Sequence, residues 1–153
     1  MRINTYLLMA TLILGGCGNP PDYRKFSAEE LLPLAENGDA EAQFNLGSKY
    51  RIGFGVLKSY QEAFKWYKRS AEQGFANAQF LLGGMYYRGE FGIPQDYTQA
   101  YMWLTLANNQ GLKMAIKTRD DLDKQMDRFQ IQEAQKLARE FKPKKEASSD
   151  LSV

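Results

Sequence analysis

Few side chains of this sequence could carry out chemistry. The chain has one cysteine and no histidine, which removes histidine-based acid–base catalysis, the serine and cysteine triads, and histidine metal sites. Asp120, Asp121 and Asp123 lie in a charged, helix-like segment, where a solvated surface explains them. The glycines at 53–55 and 89–92 neither follow a strand nor precede a Gly-Lys-Ser/Thr triplet, so they predict turns rather than phosphate loops. We therefore predict no catalytic residue, no metal site and no cofactor.

The single thiol, Cys17, follows a segment that is unlike the rest of the chain. Within residues 1–16 Arg2 is the only charged side chain, and Tyr6–Leu14 is an apolar run of nine. Such a run is short for a transmembrane helix but suits the apolar core of a signal peptide. The tetrad Leu14-Gly15-Gly16-Cys17 resembles the bacterial lipobox, in which an aliphatic residue and two small residues precede a cysteine that is lipidated through a thioether. An ordinary secretory signal with an unrelated cysteine and a buried N-terminal helix are the alternatives.

Lipidation of Cys17 agrees with the cysteine count. One cysteine forms no intramolecular disulfide, and a free thiol is a liability in an oxidising compartment. Two acyl chains such as palmitate are enough for stable membrane anchoring. In the lipoproteins that this segment resembles, an aspartate after the cysteine favours the inner membrane, and here Gly18 follows it. We therefore expect a signal peptide at 1–16, a lipidated tether at 17–26, and a bacterial cell envelope location, lipid-anchored in the outer membrane and facing the periplasm.

Composition describes one globular domain without a nucleic-acid partner. The 153 residues are 44% hydrophobic and 25% charged, and this length suits a single domain. The formal net charge is +2, with lysine and arginine interspersed among aspartate and glutamate. Nucleic-acid binding calls for a one-sided basic patch, so we predict no nucleic-acid partner.

The centre of the chain repeats itself. Residues 40–75 align with 76–112, and the matching residues recur 36 positions later or, after one inserted residue, 37 positions later. The matching positions of the first copy are Ala42, Gln43, Phe44, Leu46, Gly47, Tyr50, Gly53, Tyr60, Ala63, Trp66, Gln73 and Gly74. A fixed period in this range is typical of a solenoid built from supersecondary units.

Each copy predicts a pair of helices. The small and apolar residues of Ala42–Gly53 fall on one helical stripe. Glycine inside a helix costs about 0.5–1 kcal/mol against alanine, so its recurrence at Gly47 and Gly83 predicts a close approach of the second helix. That second helix carries Trp66 in one copy and Trp103 in the other, and their equivalence predicts core packing.

These residues resemble a known family. The pattern A-x-A-Q-x-x-L-G-x-x-Y-x-x-G, a short turn, Y-x-x-A-x-x-W and a closing A-E-Q-G is similar to the Sel-one-like repeat, an α/α relative of the tetratricopeptide repeat. The chain departs from it at Leu57–Ser59 and at Asn108–Asn109. The resemblance implies an all-α fold: a short α/α solenoid of two full helix-hairpin repeats, about 40–75 and 76–112, with N- and C-terminal capping helices.

The flanking segments predict the caps. Ser27–Glu30 has the pattern of a capping box, and Ala35–Gly38 aligns with the end of the first repeat, so a truncated repeat begins the solenoid. Two further helices are expected between Lys113 and Phe141, the second opened by Asp127. The solenoid domain is therefore predicted at 27–142, and the Lys- and Ser-rich residues 143–153 are predicted to be disordered.

Positions that differ between the copies predict a partner-binding surface. On the first helix Asn45 is replaced by Leu81, Lys49 by Met85, and Arg51 by Tyr87. An exposed apolar patch marks a contact site, and methionine makes such a patch adaptable. We expect a concave surface that binds another protein, formed by Asn45, Lys49, Leu81, Met85, Tyr87 and Arg88. Met102 and Leu106 are also apolar in the second copy, and the C-terminal cap is expected to cover them.

The function expected from these observations is protein–protein interaction. We predict a membrane-anchored repeat protein, a scaffold or adaptor of the bacterial cell envelope, and not an enzyme. Some lipoproteins that it resembles are immunity proteins that sequester a secreted effector. The alternative implied by other relatives is binding or hydrolysis of β-lactams, but those relatives pair cysteines within each repeat and this chain has none there. A passive scaffold without one tight partner is the third possibility.

Overall fold

The structure is a computed structural model and describes residues 21–89 and 91–146. Within them it contains seven α-helices, one 3₁₀ helix and no strand. The 3₁₀ helix is Tyr23–Lys25, and the α-helices are α1 Ala28–Glu36, α2 Ala40–Ile52, α3 Tyr60–Glu72, α4 Ala76–Arg88, α5 Tyr97–Asn109, α6 Met114–Asp123 and α7 Arg128–Glu140. The predicted all-α class is confirmed.

The helices stack in chain order. α2 packs on α3 and α4 packs on α5, which gives the two predicted hairpins, and α3 packs on α4 to join them. The hydroxyl of Ser70, near the end of α3, donates to the carbonyl of Ala40 at the start of α2 (2.6 Å), so the two helices run antiparallel. α1 covers α2 at one end, while α6 and α7 both cover α5 at the other. The chain is an α/α solenoid with a cap at each end.

Side-chain caps begin most of the helices. Both predicted capping boxes, Ser27–Glu30 on α1 and Asp127–Gln130 on α7, are present. Ser59 and Asp96 cap α3 and α5, and each accepts a hydrogen bond from the backbone N–H three residues on, at 3.1 and 2.9 Å. Either side chain satisfies one of the free N–H groups of a helix start. Where the chain departs from the repeat pattern at Leu57–Ser59, the helix cap is therefore kept, with a hydroxyl in place of a carboxylate.

The two repeated glycines lie where the helices of a hairpin cross. A Cβ atom added to Gly47 would lie 3.0 Å from the ring of Tyr67, and one added to Gly83 would lie 2.9 Å from Cγ of Leu104. Both are shorter than ordinary van der Waals contacts, so only glycine permits this approach. The close packing predicted from the recurrence of glycine is confirmed.

A ladder of glutamines joins successive repeats. Gln43 and Gln79 are fully buried, and their side-chain amides donate to the carbonyls of Ala35 (2.9 Å) and Ala71 (3.2 Å) at the end of the preceding helix. Their own oxygens accept from the amides of Gln73 and Gln110, at 2.9 and 2.8 Å. Because buried polar groups must be hydrogen-bonded, this pairing explains why glutamine recurs at those positions.

The C-terminal cap covers the apolar surface of the second repeat. Met102 and Leu106 are buried in one cluster with Ala138 of α7, and Leu137 and Phe141 pack against that cluster. The expectation that the cap covers these two side chains is therefore confirmed.

The segment after α7 differs from its prediction. Residues 143–146 were expected to be disordered, but the backbone N–H of Lys144 donates to the carbonyl of Glu72 (2.9 Å). The carboxylate of Glu146 pairs with Arg69. The prediction is wrong for these four residues, because composition alone does not reveal the cation and the free carbonyl that they meet. The rest of the predicted disordered segment, 147–153, lies outside the described residues.

Candidate protein-binding surfaces

The first two residues of the predicted surface are buried, each with 7% of its surface exposed. The side-chain amide of Asn45 donates to the carbonyl of Glu41 in its own helix (2.8 Å), and the ammonium of Lys49 lies 4.8 Å from the ring centroid of Phe54. α1 and the 3₁₀ helix pack on α2, and they close this side. The prediction that Asn45 and Lys49 line an open face is wrong, because the segment before the repeats covers α2.

A partly buried hydrogen bond also holds the 3₁₀ helix against α2. The Tyr23 hydroxyl donates to a carboxylate oxygen of Asp39 (2.6 Å), and its burial raises its pKa well above the usual range. The same carboxylate group caps α2 through the N–H of Ala42 (2.8 Å). One aspartate therefore fixes both the start of α2 and the segment that lies over it.

Met85 is buried as well. Only 6% of its surface is exposed, and it shares a cluster with Ala63, Tyr67 and Ile93. Leu81 is half-buried against the same cluster. The predicted patch of Leu81 and Met85 is thus part of the interior between α3 and α4, because the second helix of the first repeat packs on it.

The last two predicted residues remain at the surface. Tyr87 is half-buried: its ring centroid lies 6.0 Å from that of Tyr97, and its hydroxyl accepts from the Gln125 amide (3.1 Å). Arg88 is exposed, and its guanidinium lies over Gly84. The structure therefore does not bring the six predicted residues together as one surface. The predicted lipidation site, Cys17, lies outside the described residues.

A different apolar surface is open at the turns between the helices of each hairpin. We call it the turn edge, and it consists of four side chains with large exposed fractions: Ile52 (58%), Phe54 (64%), Leu57 (91%) and Phe91 (53%). The sequence signal for it was the departure at Leu57, where the repeat pattern expects a polar residue. A comparison of helix positions between the two copies does not reveal this surface, because its side chains lie in or next to the turns.

The two turns are fixed to each other. The rings of Tyr60 and Phe91 stack with their centroids 3.8 Å apart and their planes 7° apart. The Gln61 side-chain amide donates to the carbonyl of Phe91 (2.7 Å). Phe91 has φ +60°, and it is the one described residue other than glycine with a positive φ. A bulky residue in this region is strained, so Tyr60 and Gln61 hold it there.

Cations border the turn edge. The ammonium of Lys58 lies 5.0 Å from the ring centroid of Tyr60, and Arg51 and Arg88 are exposed at the ends of α2 and α4. Aromatic rings and arginines are the side chains most enriched at protein interfaces.

Within residues 21–89 and 91–146, no group of three or more His, Cys, Asp or Glu could hold a metal ion. No helix in that part of the chain is long and apolar enough to cross a bilayer.

Comparison with known families accounts for this arrangement. The family model described as Sel1 repeat matches residues 40–75 and 76–112, the same two copies that form α2–α3 and α4–α5. The chain contains two Sel1 repeats. Sel1 repeat proteins mediate protein–protein interaction, and the repeat fold is typically a non-catalytic interaction scaffold.

Curated relatives carry the same repeat. Two putative sel1-like repeat-containing proteins of Acanthamoeba polyphaga mimivirus are 43% identical over 53 residues and 42% identical over 45 residues. These matches cover 35% and 29% of this chain but only 10% and 8% of the viral proteins. The chain therefore spans a small part of the length of the curated relatives it matches.

Two solved structures are similar in fold. The crystal structure of a protective antigen of uropathogenic Escherichia coli, which displays an SLR fold, matches with a TM-score of 0.70 and 31% identity over 90% of this chain and 28% of that one. A Sel1 repeat protein from Oxalobacter formigenes matches with a TM-score of 0.58 and 37% identity over 60% of this chain and 37% of that one. Both share the stacked helix hairpins, and both are longer than this chain.

Proposed function

We propose that this Sel1 repeat protein is a scaffold of the bacterial cell envelope that binds another protein through its turn edge. The observation that supports the proposal is the exposure of Ile52, Phe54, Leu57 and Phe91 on a solenoid that already buries its own core. A pre-formed surface binds without a large loss of conformational entropy. Large apolar side chains that are exposed together at one end of the hairpins mark a candidate interaction site.

The shape of the turn edge favours a protein partner. Phe91 is held in a strained backbone conformation by a stacked ring and a hydrogen bond, and a defined shape of this kind suits a complementary surface. A bilayer places no such demand on shape. The partner is therefore a protein with an apolar centre, and aromatic side chains supply the anchors.

Site-specific cross-linking tests this assignment. A photoreactive amino acid at Leu57 in cells should give a discrete protein adduct, whereas the same amino acid at Phe129 should not. Phe129 is the matched control because it is 79% exposed but lies at the start of α7, in the C-terminal cap. The variant Phe54→Asp with Leu57→Asp should lose the partner, and Met114→Asp with Phe129→Asp should keep it. Equal adducts from both positions would reject the turn edge.

The anchor is a separate part of the proposal. Its support is the Leu14-Gly15-Gly16-Cys17 tetrad after an apolar run, which would place two or more acyl chains on the first mature residue and hold the solenoid at the outer membrane, facing the periplasm. Labelling cells with an alkyne analogue of palmitate should mark the wild-type chain and leave Cys17→Ser unmarked. If both chains are unlabelled and both fractionate with the soluble periplasm, the anchor is wrong, while the turn edge is unaffected.

A narrower form of the proposal concerns immunity. The partner would then be a secreted effector, which the solenoid sequesters by covering its surface. Cells that express the chain should survive the effector, and cells that express Phe54→Asp with Leu57→Asp should not. Survival that does not depend on the turn edge would exclude this narrower form.

A further inference from the structure

Residues 143–146 lie against the end of the hairpins opposite the turn edge. The N–H of Lys144 donates to the carbonyl of Glu72 (2.9 Å), and the N–H of Glu146 donates to the side-chain oxygen of Gln73 (3.4 Å). Ring atoms of Pro143 lie 3.2 and 3.3 Å from where a Cβ of Gly74 would be. Two backbone N–H groups of this segment are therefore hydrogen-bonded to the hairpin, and the ring of Pro143 packs on Gly74.

The carboxylate of Glu146 enters a built site. Arg69 donates to it twice, from Nε (3.0 Å) and from Nη2 (2.5 Å), and the amide of Gln43 donates to it at 2.9 Å. Gln43 is fully buried. A two-pronged guanidinium–carboxylate pair is directional as well as strong, and Trp66 fixes the guanidinium, which lies 4.8 Å from its ring centroid. These donors hold the pKa of Glu146 below its usual range.

The fold of the repeat does not depend on Arg69. The position equivalent to Arg69 in the second repeat is Leu106, where the glutamine ladder of Gln79 and Gln110 forms without it. A Cβ added to Gly111, the equivalent of Gly74, would meet nothing within 4 Å, so no described residue packs on this glycine. The second repeat folds without a carboxylate at this place, so the repeat fold does not require Arg69. Its role in the first repeat is therefore to bind the carboxylate.

We propose that Gln43, Arg69 and Gln73 form a binding site for an extended peptide of the pattern Pro-x-x-Glu, which residues 143–146 occupy in cis. The occupant of the site in a complex is such a segment of a partner protein. The cis contact is directional, but both of its charged side chains are partly exposed (29% and 28%), so screening by solvent limits its strength. A tethered segment has an effective concentration on the order of millimolar. A partner peptide therefore competes with the chain's own segment at about that concentration.

The test uses the full-length chain and a fluorescent synthetic peptide with the sequence of residues 142–147, Lys-Pro-Lys-Lys-Glu-Ala. Glu146→Arg places two cations together and releases the chain's own segment. Fluorescence anisotropy should then show the peptide bound about tenfold more tightly to Glu146→Arg than to the wild-type chain, whose site is occupied. A peptide with glutamine in place of its glutamate should bind about tenfold more weakly to the variant.

Reversal of both charges tests the pairing of Arg69 with Glu146. Arg69→Glu added to Glu146→Arg should abolish binding of the acidic peptide, and the double variant should again hold its own segment through the exchanged pair. Circular dichroism establishes that each variant is helical; where Glu146→Arg does not fold, Glu146→Gln replaces it with the same expectation. Equal binding by wild type and the released variant, or binding that ignores the glutamate of the peptide, would overturn the site. Neither result bears on the turn edge, which uses other residues.

Discussion

At the residue scale, the closest helix contacts depend on two glycines. Gly83→Ala should destabilise the chain by about 1–3 kcal/mol, because its Cβ would overpack Leu104 Cγ at 2.9 Å and the Ala100 carbonyl at 3.2 Å. That cost exceeds the gain in helix propensity, which is at most about 1 kcal/mol. Gly84→Ala is the matched control: its nearest atoms are the tip of Arg88 at 3.7 Å. Gly84→Ala should therefore be neutral or slightly stabilising, and urea unfolding of both variants measures the difference.

The ion pair of the C-terminal segment should respond to acid. Hydrogen bonds from Arg69 lower the pKa of Glu146 from its ordinary 4.5. Because the folded-state pKa is the lower one, the stabilisation is present above the unfolded pKa and is lost as the pH falls through the folded pKa. The amide NMR shift of Lys144 should be constant from about pH 8 to about pH 5 and should change below about pH 4.

The control for this titration is Glu146→Gln. That chain has no carboxylate at position 146, so the amide shift of Lys144 should show no transition over the same pH range. A transition of the same size in both chains would contradict the assignment to Glu146.

At the scale of elements, the second helix of each repeat depends on its cap. Asp96→Ala should cost about 1 kcal/mol, because the N–H of Gln99 loses its acceptor at the start of α5. Asp96→Ser should cost much less, since Ser59 already performs this role for α3. Thermal unfolding of the two variants checks the order, and an equal loss would show that the charge at Asp96, and not its hydrogen bond, stabilises α5.

For the molecule as a whole, the C-terminal cap covers apolar side chains of α5. Ala138 is buried against Met102 and Leu106, so Ala138→Asp places a carboxylate against that apolar interface and should cost more than about 2 kcal/mol. The cap should detach, and the exposed surface of α5 should bind the dye ANS. Gln132→Asp on the exposed side of α7 is the control and should bind no dye. An unchanged Ala138→Asp chain would show that α7 does not seal the solenoid.

Local signals along the chain suffice to predict the architecture. The period of 36–37 residues, the helix caps and the paired glycines are local signals, and each acts within one hairpin or between neighbours in the chain. Because a solenoid is built from contacts between neighbouring units, such signals suffice to predict the helix pairs, their order and the two caps. The family resemblance rested on the same local signals.

Which surfaces are open depends on contacts between segments that are distant in the chain. Met85 is buried because Ile93 and the helix of the preceding repeat reach it, and Lys49 is buried on a helix that α1 and the 3₁₀ helix cover. Glu146 meets Gln43 from 103 positions away. Burial depends on segments that fold over a residue from elsewhere in the chain, and a comparison of equivalent repeat positions contains no information about them. The exposure of the side chains at the turns, and so the turn edge, is therefore visible only in the folded structure.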